Sequence, residues 1–394
     1  ESAYKSELSP RYHARETAEE LARMNGASVV LGSATPSLEA YTRAKTGQYR
    51  LYRLAERAKK DSHMAKVSVV DLREELKRGN KSIFSVQLRE AMEERLKNHE
   101  QIMLFLNRRG YSTFVSCRSC GEAIRCPHCD VTLTLHRNQH LKCHYCGYEI
   151  LVPPRCPSCG SPYIAGFGTG TQKIETMVKH VFPEARVLRM DRDTTSQKGG
   201  HEEILSAFAE GGADILVGTQ MIVKGHDFPN VTLVGILAAD LSLYSSDFRC
   251  GERTFQKPGE VIIQTYSPEQ YSITCAADQD YDSFYTQEMA YRQILHYPPV
   301  FQLLTVMIAA KEEPVLDQAA KEMRQWVKEM EEGADVELIG PTEATVYKVH
   351  DIYRKILYLK KKNYDILIRI KDRLEEKVQE QSWNGKVMIQ FDFA

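Results

Sequence analysis

Four Cys-x-x-Cys pairs within residues 117–159 constrain this chain more than any other feature. The spacing is Cys117-x2-Cys120-x5-Cys126-x2-Cys129-x13-Cys143-x2-Cys146-x9-Cys156-x2-Cys159. Each Cys-x-x-Cys turn can aim two thiolates at one tetrahedral Zn²⁺, so four turns make two complete Cys₄ sites without an open position. Such sites are structural, not catalytic. Two pairings are compatible with the order: successive knuckles sharing an ion, or a nested set, second with third and first with fourth. The five residues between Cys120 and Cys126 leave little room for adjacent knuckles to face each other. The thirteen after Cys129 alternate and carry a turn at Arg137-Asn138-Gln139, as the hairpin of a zinc ribbon would. Nesting is therefore expected. A redox or disulfide cluster is the competing reading, disfavoured by four matched knuckles. His128, His136, His140 and His144 are ligand candidates, but eight thiolates already satisfy two ions.

Around this block the chain alternates helices with short apolar strands. Ser9-Pro10 opens an amphipathic helix ending at Gly26, which feeds an expected strand at Val29 to Leu31 and the turn Gly-Ser-Ala-Thr-Pro. Strands "KVSVVDL", "QIMLFLN", "RVLRMD", "ADILVGTQ", "VTLVGIL" and "EVIIQTY" are separated by helices at 85–99, 171–182 and 201–211. That order implies an α/β fold with a doubly wound parallel sheet, whose ligands sit at the carboxyl ends of its strands. A helical segment from about Glu269 to Leu295 ends at "YPPV". Beyond it the pattern is β-α-β-β-α-β, the order of a ferredoxin-like α+β domain.

With 52 Lys and Arg against 53 Asp and Glu, any nucleic-acid footprint is local. Residues 107–160 carry seven basic against three acidic side chains, but two Cys₄-Zn²⁺ centres at −2 each cancel that excess. Tyr347 to Ile370 holds Lys348, Arg354, Lys355, Lys360, Lys361, Lys362 and Arg369 among tyrosines, a composition suited to phosphate contact and base stacking or to a solvated strand face. No run of 18 apolar residues and no signal-peptide pattern occurs, so a cytoplasmic protein without a membrane partner is expected.

"LGSATPSLEAY", "IMLFLNRRGYS", the eight cysteines, "GFGTGTQKIE", "ILVGTQMIVKGHDFPNVTLVG", "DFRCGERTFQ" and "LHYPPV" occur in one order. Together they resemble the PriA family of bacterial superfamily 2 replication-restart DNA helicases, over nearly the whole chain. The resemblance implies a two-lobed RecA-like motor moving 3′ to 5′ on single-stranded DNA with ATP and Mg²⁺. It further implies recognition of stalled or branched forks, primosome assembly, and as partners the single-strand-binding protein and primosome loader proteins. A monomer in the bacterial cytoplasm, associated with the nucleoid, is implied too. It places residues 1–50 in the first lobe, 51–110 and 164–290 in the second, 111–163 in a zinc-binding insertion, and 291–394 in the C-terminal domain. Its zinc pairing is nested: Cys117, Cys120, Cys156 and Cys159 for one ion, Cys126, Cys129, Cys143 and Cys146 for the other. Ser33, Ala34 and Thr35 match a turn coupling nucleotide state to lobe movement, against plain turn capping. Gly218, Thr219, Lys224, Gly225 and Asp227 match a motif shared by nucleotide and DNA. Arg108 and Arg109, after a strand end, and Lys361 and Lys362 are candidate DNA contacts.

The chain departs from the family in its phosphate chemistry. It contains no Gly-x4-Gly-Lys-Ser/Thr and no Asp-Glu-x-His, and passes from Gln256 to Lys257 where the family carries an arginine finger. The sequence thus resembles a family member without its N-terminal DNA-binding domains and most of its first lobe, and is expected not to hydrolyse ATP alone. The alternative is a non-catalytic zinc-ribbon module that binds DNA or protein.

Overall fold

The structure, a computed structural model, describes residues 4–6, 12–54, 66–106, 113–128, 132–136, 139–144, 146–167, 171–191, 194–195, 200–219, 222, 228–237, 239 and 261–393. The chain divides into two compact units, Glu1–Ala55 with Met289–Ala394, and Glu56–Glu288.

In the first unit, α1 (Ala14–Asn25) begins where His13 Nδ1 accepts from the Arg15 N–H at 3.2 Å, and ends at Gly26 with φ 61°. A left-handed residue closing a helix favours glycine, which has no Cβ to clash. The helix therefore starts later than Pro10, which lies outside the described residues. α2 (Leu38–Lys45) begins at Ser37, whose Oγ accepts from the Ala40 N–H at 3.2 Å. The strand expected at Val29 to Leu31 does not form; Val30 is 92% exposed. A strand needs a neighbour for its N–H and C=O groups, and no described strand pairs with this run.

The second unit is built on β1 (Val67–Asp71), α3 (Leu72–Lys77), α4 (Val86–Lys97) and β2 (Gln101–Leu106). An excursion follows: β3 (Thr113–Cys117), β4 (Thr134–Leu135), β5 (His140–Lys142), β6 (Glu149–Leu151) and β7 (Ile164–Phe167). The chain then returns through α5 (Thr171–Val181), β8 (Val187–Met190), α6 (Gly200–Ala209), β9 (Ile215–Gly218), β10 (Val231–Leu237), β11 (Val261–Thr265) and α7 (Tyr271–Asp278). The main sheet has the order β1-β11-β10-β2-β9-β8, every pair parallel. A parallel sheet must be covered on both faces, and β2 is buried at every position. Its Met103 and Phe105 join Leu205 and Phe208 of α6 and Ile273 of α7, while Ile102, Leu104 and Leu106 join Leu88 and Met92 of α4 and Ile174 and Val178 of α5. Helices thus cover both faces. The excursion folds as a five-stranded antiparallel sheet, order β6-β5-β4-β3-β7.

The helix expected from Glu269 to Leu295 is divided. Gln279 turns left-handed at φ 57°, and Asp280 Oδ1 accepts from the Ser283 N–H at 3.0 Å to start α8 (Tyr281–Ile294). The unit boundary falls inside α8, between Glu288 and Met289. The reason is that Met289 and Arg292 of α8 meet α2: Thr42 Oγ1 lies 3.8 Å from Met289 Sδ, and Glu39 Oε1 lies 3.7 Å from Arg292 Nη1.

β12 (Gln302–Ala310), α9 (Glu313–Glu329), β13 (Glu337–Val349), β14 (Ile352–Lys361), α10 (Tyr364–Gln379) and β15 (Val387–Phe393) complete the first unit in the expected β-α-β-β-α-β order. The sheet order is β13-β14-β12-β15, antiparallel throughout. Leu316, Ala319, Ala320, Met323 and Val327 recur at helical spacing and bury one face of α9 against Leu304, Val306, Leu357 and Leu359.

Candidate metal centres and the carboxyl edge of the sheet

Three of the four cysteine turns share one pattern of backbone hydrogen bonds. Cys117, Cys143 and Cys156 each donate their N–H to a carbonyl five residues on, of Glu122, Tyr148 and Ser161, at 2.8, 2.8 and 2.9 Å. Their own carbonyls accept from Gly121, Gly147 and Gly160 at 2.9, 3.0 and 2.9 Å. These glycines have φ of 81°, 79° and 71°, a conformation that favours glycine. The signal was present in the sequence as Cys-x-x-Cys-Gly, which a reading of cysteine spacing alone misses. The remaining pair, Cys126 and Cys129, lacks that glycine, and Cys129 lies outside the described residues.

The turns bring together thiols that are distant in sequence. Cys117 Sγ is 3.6 Å from Cys159 Sγ and Cys120 Sγ is 3.7 Å from Cys156 Sγ, and all four lie within 4.8 Å of one another. Cys126, Cys143 and Cys146 form a second group, with 3.5 Å between Cys126 and Cys146. A Zn–S bond of about 2.3 Å in a tetrahedron requires sulfurs about 3.8 Å apart, so both groups fit a zinc ion.

Burial opposes ionisation of Cys117, but the N–H groups of Cys120 and Ser119 and the neighbouring thiols bring it down to about 7. Burial and the adjoining thiols push Cys120 up. Cys159 also rises, because desolvation and the thiols of Cys117 and Cys156 outweigh the Ser161 N–H. A divalent cation would displace the remaining protons. The histidines have other company: His136 Nε2 lies 3.3 Å from His144 Nε2, His140 Nδ1 2.7 Å from Glu149, and the His128 ring packs edge-on against Tyr148. Neither thiol group includes a histidine among the described residues.

The carboxyl edge of the parallel sheet is the second candidate region. Register pairs Gly218 with both Phe105 and Met190, so the ends of β2, β9 and β8 lie side by side with Thr219 just beyond. A Cβ at Gly218 would lie 2.5 Å from Ile222 Cγ2 and 2.9 Å from the Met190 carbonyl oxygen, so this glycine admits the chain's own neighbours. Two residues that sequence reading passed over sit here. The Thr171 hydroxyl, at the start of α5, donates to Asp191 Oδ2 at 2.5 Å, and Asp191 Oδ1 accepts from the Thr194 N–H at 3.1 Å. Arg108, Arg109, Lys224, Gly225 and Asp227 lie outside the described residues.

In the first unit, Ser33 Oγ accepts from the Thr35 N–H at 3.1 Å, so a turn is capped there, with Ala34 exposed at its tip. Much of the C-terminal basic stretch is matched locally. Lys348 pairs with Asp351 at 2.9 Å, Lys355 with Asp317, and Lys360 lies 3.5 Å from Glu337. Lys361 Nζ donates to the Asp335 carbonyl oxygen at 3.1 Å, whereas Lys362 is exposed over the Phe301 ring at 5.3 Å. No described helix is long and apolar enough to cross a membrane.

Comparison with known proteins agrees with this arrangement. Residues 126–150 match the PriA DNA helicase Cys-rich region (CRR) domain, and residues 293–393 match the Primosomal protein N C-terminal domain. The chain is 48% identical over 408 residues to replication restart protein PriA of Bacillus subtilis, covering 100% of the chain and 50% of that protein. It is 39% identical to the Synechocystis protein of that name, covering 95% of the chain and 48% of the relative. For the Haemophilus influenzae protein the figures are 36%, 91% and 50%. A Pyrococcus furiosus Hef helicase domain superposes on 45% of the chain, covering 24% of that domain at 15% identity, with a TM-score of 0.22, too low to bear on the fold. The chain spans about half the length of the curated relatives it matches. Agreement along the whole of its own length, through the cysteine block and the C-terminal domain, means that the chain belongs to the PriA family.

Proposed function

We propose that this chain forms a C-terminal part of the first RecA-like lobe, the second RecA-like lobe, the zinc-binding insertion and the C-terminal ferredoxin-like domain of an ATP-dependent 3′ to 5′ DNA helicase. That helicase recognises stalled or branched forks and initiates primosome assembly in the bacterial cytoplasm. The observation that carries the reading is the insertion of paired Cys-x-x-Cys turns between β2 and α5 of an all-parallel sheet, in a chain 48% identical to a replication restart protein. The split order β13-β14-β12-β15 supports the ferredoxin-like assignment, and helices on both faces of the parallel sheet support the RecA-like one. Two Zn²⁺ ions are held in nested fashion, by Cys117, Cys120, Cys156 and Cys159 and by Cys126, Cys129, Cys143 and Cys146. Four thiolates close each coordination sphere, so the metal orders the ribbon and takes no part in hydrolysis.

The roles of the remaining residues follow the same reading. Gly218, Thr219, Lys224, Gly225 and Asp227 present nucleotide- and DNA-facing groups at the carboxyl edge, where ligands of parallel α/β sheets bind. Ser33, Ala34 and Thr35 couple nucleotide state to lobe movement. Arg108, Arg109 and Lys362 contact DNA phosphates, with Lys361 contributing less because Asp335 already engages it. The single-strand-binding protein and loader proteins are the protein partners.

These 394 residues contain no phosphate loop, so they do not turn over ATP alone. The test is DNA-stimulated ATP hydrolysis and strand displacement by this chain, and by this chain joined to the N-terminal half of the Bacillus subtilis relative. Turnover and 3′ to 5′ unwinding by the joined protein alone is expected. Turnover by the chain alone, or a soluble joined protein that binds forks without unwinding while the intact relative unwinds, contradicts the reading.

A further inference from the structure

We propose that Arg73 and Gly121 are positioning residues that fasten the inner cysteine group, Cys117, Cys120, Cys156 and Cys159, to the carboxyl edge of the parallel sheet, making that centre a buttress of the edge. The outer group, containing Cys126, Cys143 and Cys146, packs outside both core clusters of that sheet. The proposal rests on the metal reading above and adds an unequal division of labour between two chemically similar centres.

Two independent contacts converge on the inner knuckle. A Cβ at Gly121 would lie 2.0 Å from the carbonyl oxygen of Tyr266, 2.9 Å from its carbonyl carbon and 3.4 Å from Ser267 Oγ. The knuckle's main chain therefore rests directly on the residues that leave β11, with no space for a side chain between them. Gly121 is required twice, once for this approach and once for its φ of 81°.

Arg73 supplies the second contact. Its Nε and Nη2 donate to the two oxygens of Asp71 at 3.0 and 2.8 Å, and its Nη1 and Nη2 donate to the two oxygens of Glu269 at 3.0 and 2.9 Å. Nη1 also lies 3.5 Å from the carbonyl oxygen of Cys120. One planar guanidinium thus joins the end of β1, the turn after β11 and the knuckle, a task for which the rigid fork of arginine is suited and lysine is not. Asp71 and Thr265 are register partners, so both carboxylates stand at the same edge.

The packing agrees. Ala123, two residues beyond Gly121, is buried in the sheet's core with Ile263 and Ile273. In the outer ribbon Leu133 and Leu141 are fully buried, yet neither belongs to either core cluster of the parallel sheet. The inner centre is therefore continuous with the sheet, and loss of its metal loosens the turn at Tyr266–Glu269.

Hydrogen exchange and zinc release on the zinc-loaded chain test this. Arg73→Gln is expected to speed exchange at the Gly121, Ser267 and Gln270 amides roughly tenfold, the scale of a lost charge-assisted hydrogen bond, while β2 amides stay protected. One of two zinc ions should then leave faster to a chelator, with Arg73→Lys intermediate. Cys156→Ser should expose Ser267 and Gln270, and Cys143→Ser should not. Wild-type exchange and release in Arg73→Gln, or equal exposure by the two cysteine variants, overturns the proposal. Zinc content separates the two layers: a wild-type chain holding no zinc overturns the metal reading and the proposal with it, whereas two ions with unchanged exchange overturn the proposal alone.

Discussion

Arg292, its side chain fully buried, donates from Nη1 to the carbonyl oxygen of Pro298 at 2.7 Å. The same nitrogen lies 3.7 Å from Glu39 Oε1, so α2 is held to α8 by a charge shielded from water. Removing one partner of a buried pair leaves the other uncompensated, which costs about 3–5 kcal/mol. Arg292→Met should destabilise the first unit by that order. Glu39→Gln, which takes that counter-charge from the fully buried guanidinium, should destabilise the unit by a similar order. Urea unfolding followed by tryptophan fluorescence reads this unit, because Trp326 and Trp383 both pack in its core. An unchanged midpoint in Arg292→Met contradicts the assignment.

Gly218→Ala separates packing from ligand approach. The added methyl meets Ile222 and the Met190 carbonyl oxygen, so overpacking should cost about 1–3 kcal/mol, measured by urea unfolding without ligand. Unaltered stability would mean that the glycine serves ligand approach alone.

Asp214 gives a pH signature. The Arg186 side chain hydrogen-bonds its carboxylate, with Nη2 to Oδ1 at 2.5 Å, and this chiefly holds its pKa below the ordinary value. A depressed carboxylate stabilises the fold above its unfolded value, about 3.9, and loses that contribution as pH falls through the lower folded value. Asp214→Asn should thus lower the urea midpoint at pH 7, with the difference from wild type shrinking to nothing in acid below the folded value. A difference that persists there contradicts the ion-pair origin.

Lys361 and Lys362 are adjacent but unequal. Lys361 is engaged by Asp335 and Lys362 is exposed. Lys362→Ala should weaken fork binding severalfold and reduce the salt slope by about 1, and Lys361→Ala should do less. Fluorescence anisotropy at several salt concentrations compares them; equal effects would show that Lys361 leaves Asp335 on binding.

The α/β alternation was legible because buried parallel strands read as apolar runs such as "QIMLFL", and helices ended at capping residues such as Ser85 and Gly26. Strand order was not, since the register of β2 between β10 and β9 depends on contacts far apart in sequence. Val29 to Leu31 misled for a related reason: apolar character signals burial, whereas a ladder also needs a partner. Gln279 broke a helix that its letters favoured, through a left-handed turn followed by the Asp280 cap. At the candidate site the cysteine spacing left two pairings open and favoured nesting. It gave neither Arg73 nor Asp191, single polar residues whose partners come from other elements.

Zinc content of paired cysteine variants tests the nested arrangement most directly. Native mass spectrometry of the wild-type chain should find two zinc ions. Cys117→Ser combined with Cys156→Ser removes two ligands of one centre, so one ion should remain. Cys117→Ser combined with Cys126→Ser disables both centres, so none should. The reverse outcome, none in the first variant and one in the second, would mean that successive knuckles share an ion and would contradict the account.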